Sequence, residues 1–294
     1  MDLIQQNLET ISSIHLHNMT VDELVRADSQ VESRFHFSQG IWWREVKPFF
    51  YHPAAPMTQI VPHTAAPAAW RALGGYYYMV PPGAPSNGLI VANEIPNPAS
   101  YQLESLKKKR NQIRRALAFF RIARVDELNH LLGDGFRIYL DWEKRTKNVR
   151  LKRSNPVVFN RWISRTFHHP HKLLLGAYAR DHLAAFLIAE AIEGVANISK
   201  IFSDSCFNEL TPASALIYAY VKICGQNREI RKACHGLRGL IDSLERYKSV
   251  LGFEHVSYPA FIHLRPVIRP LVRCLMPMEY RRLTGQYATE SPTP

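Results

Sequence analysis

Three apolar runs in the second half of the chain predict consecutive β-strands. They read KLLLGAYA, HLAAFLIAEAI and GVANISKIFSD. Arg180-Asp181 separates the first two runs and predicts a compact hairpin turn. In the third run, an imperfect alternation sets Asn197 and Ser199 against Lys200, so both faces of this strand are expected to meet other parts of the protein.

A helix, a strand and a second helix follow these runs. Thr211-Pro212 combines an N-cap residue with a first-turn proline and predicts an apolar helix that ends at about Gly225. KACHGLRGL predicts the fourth strand. Ser243 to Val250 predicts a short amphipathic helix, which stops at Gly252-Phe253 and leads into the strand-like run HVSYPAFIHL.

The first hundred residues predict a mixed and incomplete α/β module. Thr20-Val-Asp-Glu23 is a capping-box pattern that opens a short helix. Tyr76 to Val80 and Leu89 to Ala92 predict two strands on either side of the turn PPGAPSNG. The segment from Pro53 to Pro67 is rich in proline and alanine and predicts an irregular connection.

The segment that joins these two regions predicts mainly helices. Ser100 is expected to cap an amphipathic helix that runs to about Ala118. Asp126 is expected to cap another helix, which Gly133 and Gly135 should break. Asn155-Pro156 predicts the start of a further helix.

Composition indicates a globular chain, because 294 residues with 46% apolar side chains can bury a sizeable core. The longest apolar run, Ala184 to Ala189, is far shorter than the roughly 20 residues that span a bilayer. The first 20 residues contain no apolar signal core. We therefore expect a cytoplasmic protein, with any membrane contact confined to the periphery of the inner face.

The cysteines and histidines do not predict a metal site. The four cysteines form no CxxC pair and are expected to be reduced and largely buried. The HHPH run, His168 to His171, has no carboxylate or cysteine motif beside it and favours a surface loop.

The formal net charge of +12 favours anionic partners. Much of it lies in an acid-free segment that contains Lys107, Lys108, Lys109, Arg110, Arg114, Arg115, Arg121 and Arg124. Lys144 to Arg153 adds a second basic stretch. These residues form either a solvated helix face or an anion-binding surface.

The order of elements after residue 172, closed by IDSLERYKSVLGF and the strand that follows it, resembles the GNAT acyltransferase superfamily. With the preceding SLKKKRNQIRRAL run, the chain is similar to the FemAB-like branch, in which two GNAT-like halves are fused. The resemblance covers about residues 100 to 270 and implies an α/β fold with a mixed, mostly antiparallel central sheet flanked by helices. Residues 1–100 would be a degenerate GNAT-like half, 101–275 the acyltransferase domain and 276–294 a partly disordered tail.

Two segments depart from the usual GNAT pattern. SDSCFNELTPAS stands where a glycine-rich loop binds the pyrophosphate of acetyl-CoA in GNAT enzymes, and it contains no glycine. Lys248, beside Tyr247, stands where many GNAT enzymes carry a tyrosine that protonates the departing thiolate. The resemblance therefore leaves two donors open, acyl-CoA as a co-substrate and aminoacyl-tRNA, and it implies no tightly bound cofactor.

The resemblance implies transfer of an acyl or aminoacyl group to an amine by direct attack, in which positioning of the two substrates supplies much of the rate. The catalytic candidates are Lys248, Tyr247, Asp204, Asn197 and Ser199. The candidates that bind an anionic donor are Thr211, Ser214 and Lys200. Lys248 would balance negative charge, and Asp204 is either a base or a turn cap.

Two other functions stay open. A basic nucleic-acid-binding protein would explain the charge, whereas the missing glycine loop and tyrosine fit a noncatalytic GNAT-fold scaffold. HLRPVIRPLVRCLMPMEYRRL mixes basic and apolar residues, and it either lies on a membrane surface or packs on the protein's own surface. The expected partners are thus an anionic donor, an amine acceptor, tRNA in the aminoacyl alternative, and a peripheral membrane contact.

Overall fold

A computed structural model of the chain describes residues 2–29, 34–55, 57–107, 109–146, 154–239, 241–275 and 280. The chain forms two compact units that are interleaved along the sequence. The first unit draws on residues 1–18, 95–235 and 250–253, and the second on residues 19–94, 236–249 and 254–294. The domain boundaries that the sequence suggested near residues 100 and 275 stay predictions, and the predicted tail lies outside the described residues except for Tyr280.

Helices and strands together account for most of the described chain. The helices are α1 (Leu3–Ser13), α2 (Val21–Ser29), α3 (Arg110–Phe119), α4 (Leu128–His130), α5 (Phe136–Thr146), α6 (Pro156–Phe167), α7 (Pro212–Gln226), α8 (Asp242–Val250) and α9 (Ile268–Leu275). The strands are β1 (Asn18–Met19), β2 (Phe35–Ser38), β3 (Ile41–Lys47), β4 (Phe50–Pro53), β5 (Gly75–Met79), β6 (Gly88–Ile95), β7 (Arg121–Arg124), β8 (Leu173–Ala179), β9 (His182–Ile192), β10 (Val195–Ser203), β11 (Lys232–Leu237) and β12 (Glu254–Leu264).

The first unit is built on a sheet in which β7, β8, β9 and β10 pair antiparallel in chain order. β11 pairs with β10 in parallel. Aromatic and aliphatic side chains of α5 and α6, including Tyr139 and Phe159, form a buried cluster with Phe186, Ile188 and Phe202 of the sheet. α7 packs against β8, β9 and β10. The predicted α/β fold with a mixed, mostly antiparallel sheet flanked by helices is confirmed.

A buried amide fixes α1 to the first unit. Asn7 is 1% exposed, and its Nδ2 donates to the carbonyl oxygens of Leu117 and Phe120 at 2.7 and 2.8 Å. Its Oδ1 accepts from the backbone N–H of Ile122 at 2.7 Å. One side chain thereby satisfies backbone groups at the end of α3 and the start of β7, which would otherwise be buried without partners.

The second unit contains a sheet in the order β2, β3, β4, β5, β12 and β6. The strands predicted at Tyr76 to Val80 and at Leu89 to Ala92 are present as β5 and β6. They do not pair with each other, because β12 lies between them and pairs antiparallel with both. The connection between β5 and β6 must therefore cross two strand spacings, about 10 Å, which a two-residue hairpin turn cannot do.

The termini of several helices test the capping signals. Thr20 and Glu23 form the predicted capping box, since Thr20 N–H donates to Glu23 Oε2 at 2.7 Å and Glu23 N–H donates to Thr20 Oγ1 at 3.2 Å. Asn155 caps α6 through the N–H of Val157 at 2.8 Å. Both predictions are confirmed.

The predicted helix from Ser100 to Ala118 is wrong in its first half. Two short 3₁₀ turns, Pro98–Ser100 and Leu103–Ser105, precede α3. The buried Tyr101 lies between them in an extended conformation, and its hydroxyl donates to the carbonyl oxygen of Leu251 at 2.9 Å. Burial of this ring competes with continuation of the helix.

Gly133 and Gly135 do not break the helical path as expected. Leu131–Gly135 instead forms one wide π-type turn that joins α4 to α5. Such a turn accommodates an inserted residue without ending the helix.

Burial of the cysteines and histidines differs in part from the prediction. Cys224 and Cys234 are buried free thiols, whereas Cys206 and Cys274 are exposed. In the predicted surface loop at His168 to His171, His169 is buried.

No helix in the described parts of the chain is long and apolar enough to cross a membrane. The segment with a predicted membrane contact includes α9, on which Leu271 is exposed. Its residues 276–279 and 281–283 lie outside the described chain, and the membrane contact stays a prediction.

Candidate functional site

Strands β10 and β11 pair along only part of their length. Their parallel pairing runs from Val195 opposite Lys232 to Asn197 opposite Cys234, whereas β10 continues to Ser203. We call the part of β10 from Ile198 to Ser203, on its β11 side, the strand split. A place where two strands of a sheet stop pairing resembles a sheet edge, and an extended ligand can add to such an edge.

A β-bulge lies directly beside the strand split. Ile198 is opposite Ala189 on β9 and Lys200 is opposite Ile188, so Ser199 is the extra residue. Its Oγ donates to the carbonyl oxygen of Ile188 at 3.1 Å. A bulge reverses the side-chain alternation that follows it, so the side chains of Lys200 and Asn197 lie on the same face of the sheet. The alternation in the sequence had predicted that they lie on opposite faces.

A buried carboxylate lies next to this bulge, and the sequence reasoning missed it. Glu190 of β9 is directly opposite Asn197 and is 8% exposed. Its Oε2 lies 3.9 Å from Nζ of Lys172 and has no hydrogen-bond partner among the described residues. The sequence could have indicated it, because Glu190 is the single Asp, Glu, Lys or Arg within the apolar run that forms β9.

Asp204 follows the end of β10 and is 3% exposed. It accepts a hydrogen bond from the N–H of Cys206 at 2.9 Å, caps the 3₁₀ helix Ser205–Leu210 and forms an ion pair with Arg137. Burial raises the pKa of Asp204, but the hydrogen bonds from Arg137 and Cys206 outweigh this effect and hold it below its ordinary value. These contacts are those of the turn cap, and a role as base stays a prediction.

The start of α7 differs from the predicted N-cap. Thr211 adopts the left-handed conformation, with φ 49° and ψ 54°, and its side chain makes no capping hydrogen bond. Its Oγ1 is buried and has no hydrogen-bond partner in the described chain. Ser214 is fully buried, and its N–H donates to the carbonyl oxygen of Thr211 at 3.0 Å. The helix start therefore presents a buried hydroxyl and the positive end of the helix dipole.

Lys248 belongs to a buried charge cluster in the second unit. It is 4% exposed, and its Nζ donates to Oε1 of Glu245 at 2.8 Å. The same oxygen accepts from the N–H of Gly239 at 3.0 Å, and Oε2 of Glu245 lies 3.2 Å from Nε2 of His255. Tyr247 is half-buried beside them on α8. Glu245 and His255 were not identified from the sequence, although the spacing of Glu245 and Lys248 is one that brings side chains together on a helix.

These contacts set the charge state of Glu245. Burial raises its pKa, but the hydrogen bonds from Lys248 and Gly239 and the charge of Lys248 outweigh burial, so the pKa lies below its ordinary value. The cluster therefore contains a carboxylate and keeps the Lys248 ammonium buried beside it.

No protein-family model matches the chain, and no curated protein matches it by sequence. The structure of FemX matches it with a TM-score of 0.55 and 8% sequence identity, covering 92% of this chain and 98% of FemX. The chain has a GNAT-like, FemAB-like fold.

Two further structures extend this comparison. The C-terminal domain (DUF2156) of a candidate lysylphosphatidylglycerol synthetase from Agrobacterium fabrum matches the GNAT-like chain with a TM-score of 0.52 and 8% identity, covering 96% of this chain and 97% of that one. A conserved protein of unknown function from Bacteroides thetaiotaomicron matches with a TM-score of 0.51 and 10% identity, covering 90% and 98%. At these identities the similarity establishes the fold alone.

The main departure from the usual GNAT sequence pattern lies between β10 and α7. The segment without glycine, where the resemblance expected a phosphate-binding loop, forms the 3₁₀ helix Ser205–Leu210. Asp141 holds the start of this helix, since its carboxylate accepts from both the N–H and the Oγ of Ser205 at 2.9 Å. Of the predicted site residues, six lie in the first unit, on β10, in the segment after it and at the start of α7, whereas Tyr247 and Lys248 lie in the second.

Proposed function

We propose that the chain transfers an acyl group from an activated anionic donor to an amine. The observation that carries this proposal is the strand split, with the bulge at Ser199 beside it and the start of α7 after it. The GNAT-like fold supports the proposal, because the resemblance assigns donor binding to this strand and helix. Six of the eight residues predicted from the sequence belong to these two elements and the segment between them.

The proposed donor site uses two kinds of group. Backbone N–H groups of β10 in the strand split would hydrogen-bond the donor carbonyl as negative charge develops on its oxygen. The helix dipole of α7, the buried Thr211 hydroxyl and Ser214 would hold an anionic group of the donor. Lys200 shares the face of Asn197 and adds positive charge from β10.

The 3₁₀ helix favours aminoacyl-tRNA over acyl-CoA as the donor. Ser205–Leu210 places side chains where a glycine-rich loop would bring its backbone close to a pyrophosphate. A set of exposed arginines in the same unit, Arg114 and Arg115 on α3 and Arg121 and Arg124 on β7, offers contacts to a polyanion. We call it the α3 basic surface.

The resemblance also implies that Lys248, in the second unit, balances negative charge during transfer, and this role stays a prediction. The Glu245 carboxylate accepts a hydrogen bond from its Nζ and restricts its position. Lys248→Arg keeps the charge, whereas Lys248→Met removes it at nearly the same volume. Transfer should survive the first substitution better than the second.

A binding and transfer screen tests the proposal. Purified protein is incubated with acetyl-CoA or with alanyl-tRNA, and hydroxylamine or methylamine is offered as the acceptor. Formation of the hydroxamate or amide is measured by mass spectrometry. We expect alanyl-tRNA to be retained and turned over. Turnover of acetyl-CoA alone would reverse the choice of donor, and no product with either donor would refute acyl transfer.

Matched variants connect any activity to the proposed site. Thr211→Val removes the buried hydroxyl at constant shape and should weaken donor binding without loss of stability. Arg114→Ala/Arg115→Ala/Arg121→Ala should weaken tRNA binding and lower the slope of log affinity against log salt by about one per lost phosphate contact. Lys47→Ala/Arg161→Ala removes exposed charge elsewhere and serves as the control. Equal effects of the control would contradict an assignment to the α3 basic surface.

The α3 basic surface also favours a second function, binding of RNA without chemistry. In that case tRNA would be retained equally well with and without its aminoacyl group, and no product would form. Thr211→Val would leave this binding unchanged, whereas the triple arginine variant would abolish it.

A further inference from the structure

We propose that Glu190 binds the acceptor amine and removes its proton. This inference rests on the proposed acyl transfer and names the part of the site that recognises the acceptor. Glu190 was not among the residues predicted from the sequence. Four observations support the role: its burial, its incomplete set of partners, its position in the sheet and the charged groups on its face.

Burial makes the bonding state of this carboxylate informative. Glu190 is more than nine-tenths buried, and a buried charge is unfavourable unless an ion pair and hydrogen bonds compensate it. The ammonium of Lys172 lies 3.9 Å from Oε2, which is an ion-pair distance and is too long for a hydrogen bond. Oε2 thus lacks a donor in the described structure. An ammonium ligand would supply one.

The sheet register places Glu190 beside the strand split. Glu190, Asn197 and Cys234 form one row across β9, β10 and β11. This row is the last one in which β10 and β11 pair, so the split starts directly after Asn197, the residue opposite Glu190. Directly opposed residues on antiparallel strands have Cβ atoms about 5 Å apart, within reach of a ligand that contacts Asn197.

The face of the sheet that carries Glu190 is polar at this end. Alternation along β9 puts Glu190 on the face of Phe186 and Ile188, which belong to the apolar cluster with α5 and α6. Asn197 and Lys200 share this face, and Lys172 precedes β8 next to Glu190. The row at Glu190 is therefore where the apolar face changes to a polar one. A small amine with an adjacent polar group fits this boundary.

The proposed step balances atoms and charge. The acceptor ammonium first gives one proton to Oε2 of Glu190 and becomes a free amine. Its nitrogen then forms a bond to the donor carbonyl carbon, and the bond from that carbon to the leaving oxygen or sulfur breaks. The leaving group takes the second proton from the nitrogen, and Glu190 releases its proton to water. Lys172 is a positioning residue in this scheme.

Two isosteric nucleophiles separate a base from a structural carboxylate. Methylamine is almost entirely protonated at neutral pH, whereas hydroxylamine of nearly the same size is mostly a free base. With alanyl-tRNA as donor, Glu190→Gln should lower transfer to methylamine roughly 100-fold, the usual contribution of a positioned base. Transfer to hydroxylamine should stay nearly unchanged. Glu193→Gln, an exposed carboxylate three residues further along, is the control and should change neither rate.

A binding measurement keeps the inference separate from the proposed function. Methylammonium chloride should raise the unfolding temperature of the wild type above an equal concentration of sodium chloride, and it should not do so for Glu190→Gln. This result without any transfer would refute the proposed function and retain the amine site. Equal stabilisation of both proteins, or equal loss of transfer to both nucleophiles in a folded Glu190→Gln protein, would overturn the inference.

Discussion

The buried pair of Glu245 and Lys248 gives the sharpest test of the second unit. Their side chains are 6% and 5% exposed and are joined at 2.8 Å. Removal of one partner leaves the other as an uncompensated buried charge, whereas removal of both leaves none. The two single substitutions and the double substitution should therefore differ strongly from additivity.

The contacts set the expected sizes. Lys248→Met leaves the Glu245 carboxylate with the N–H of Gly239 and with His255, so the loss should be near the low end for a broken buried pair, about 3 kcal/mol. Glu245→Gln keeps a side-chain oxygen for the Lys248 ammonium and should cost about 2 kcal/mol, the scale of a hydrogen bond to a charged group. The double variant should lose only about 2 kcal/mol, which gives a coupling energy of about 3 kcal/mol.

Equilibrium unfolding in urea measures these free energies, provided the m-value is the same for all four proteins. Arg246→Met, on the exposed side of α8, controls for removal of a cation and should change stability by less than about 0.5 kcal/mol. Additivity of the two single substitutions to within about 0.5 kcal/mol would refute the reasoning, because independent sites behave in that way.

Three further predictions concern the first unit. Asn7→Ala should cost about 3 kcal/mol in urea unfolding, because it leaves three buried backbone groups without partners; a loss below about 1 kcal/mol would contradict this role for Asn7. Gly225→Ala should lower the unfolding temperature although alanine favours helices by about 1 kcal/mol, since the new Cβ would lie 2.4 Å from the carbonyl oxygen of Pro98; a more stable variant would contradict the close approach. The pKa of Asp204 is lowered in the folded state, so its contribution to stability is present above the unfolded-state value and is lost as pH falls through the folded-state value. Asp204→Asn should make the free energy of unfolding fall less steeply as the pH is lowered into the acid range. An unchanged dependence on pH would show that the ion pair of Asp204 with Arg137 does not cause this fall.

Local signals in the sequence predicted much of the fold. The capping box at Thr20 and Glu23 and the cap at Asn155 are decided by residues within a few positions of each other, and both are present. The hairpin at Arg180-Asp181 also forms, with Arg180 at a φ of 56°. Such elements are predictable because the groups that satisfy each backbone end lie in the same short stretch of chain.

Features that depend on pairing between distant strands were not predictable in this way. The pairing of β12 with both β5 and β6 involves partners far apart in sequence, and no local pattern specifies it. The bulge at Ser199 arises from the register between β9 and β10 and changes which face carries Lys200. An alternation pattern read from a single strand assumes an uninterrupted register, so it must fail at a bulge.

The candidate site also combines residues that the sequence could identify with one that depends on strand pairing. Asn197, Ser199, Lys200 and Thr211 were identifiable because the resemblance singles out a strand and the helix after it. Glu190 belongs to the neighbouring strand, and its relevance depends on the register that sets it opposite Asn197. Its burial with an unpartnered oxygen is then a tertiary property, since Lys172 approaches it only through the pairing of β8 with β9. A charged residue inside an apolar strand run therefore identifies a position worth testing, and the strand paired with it indicates what that residue can act on.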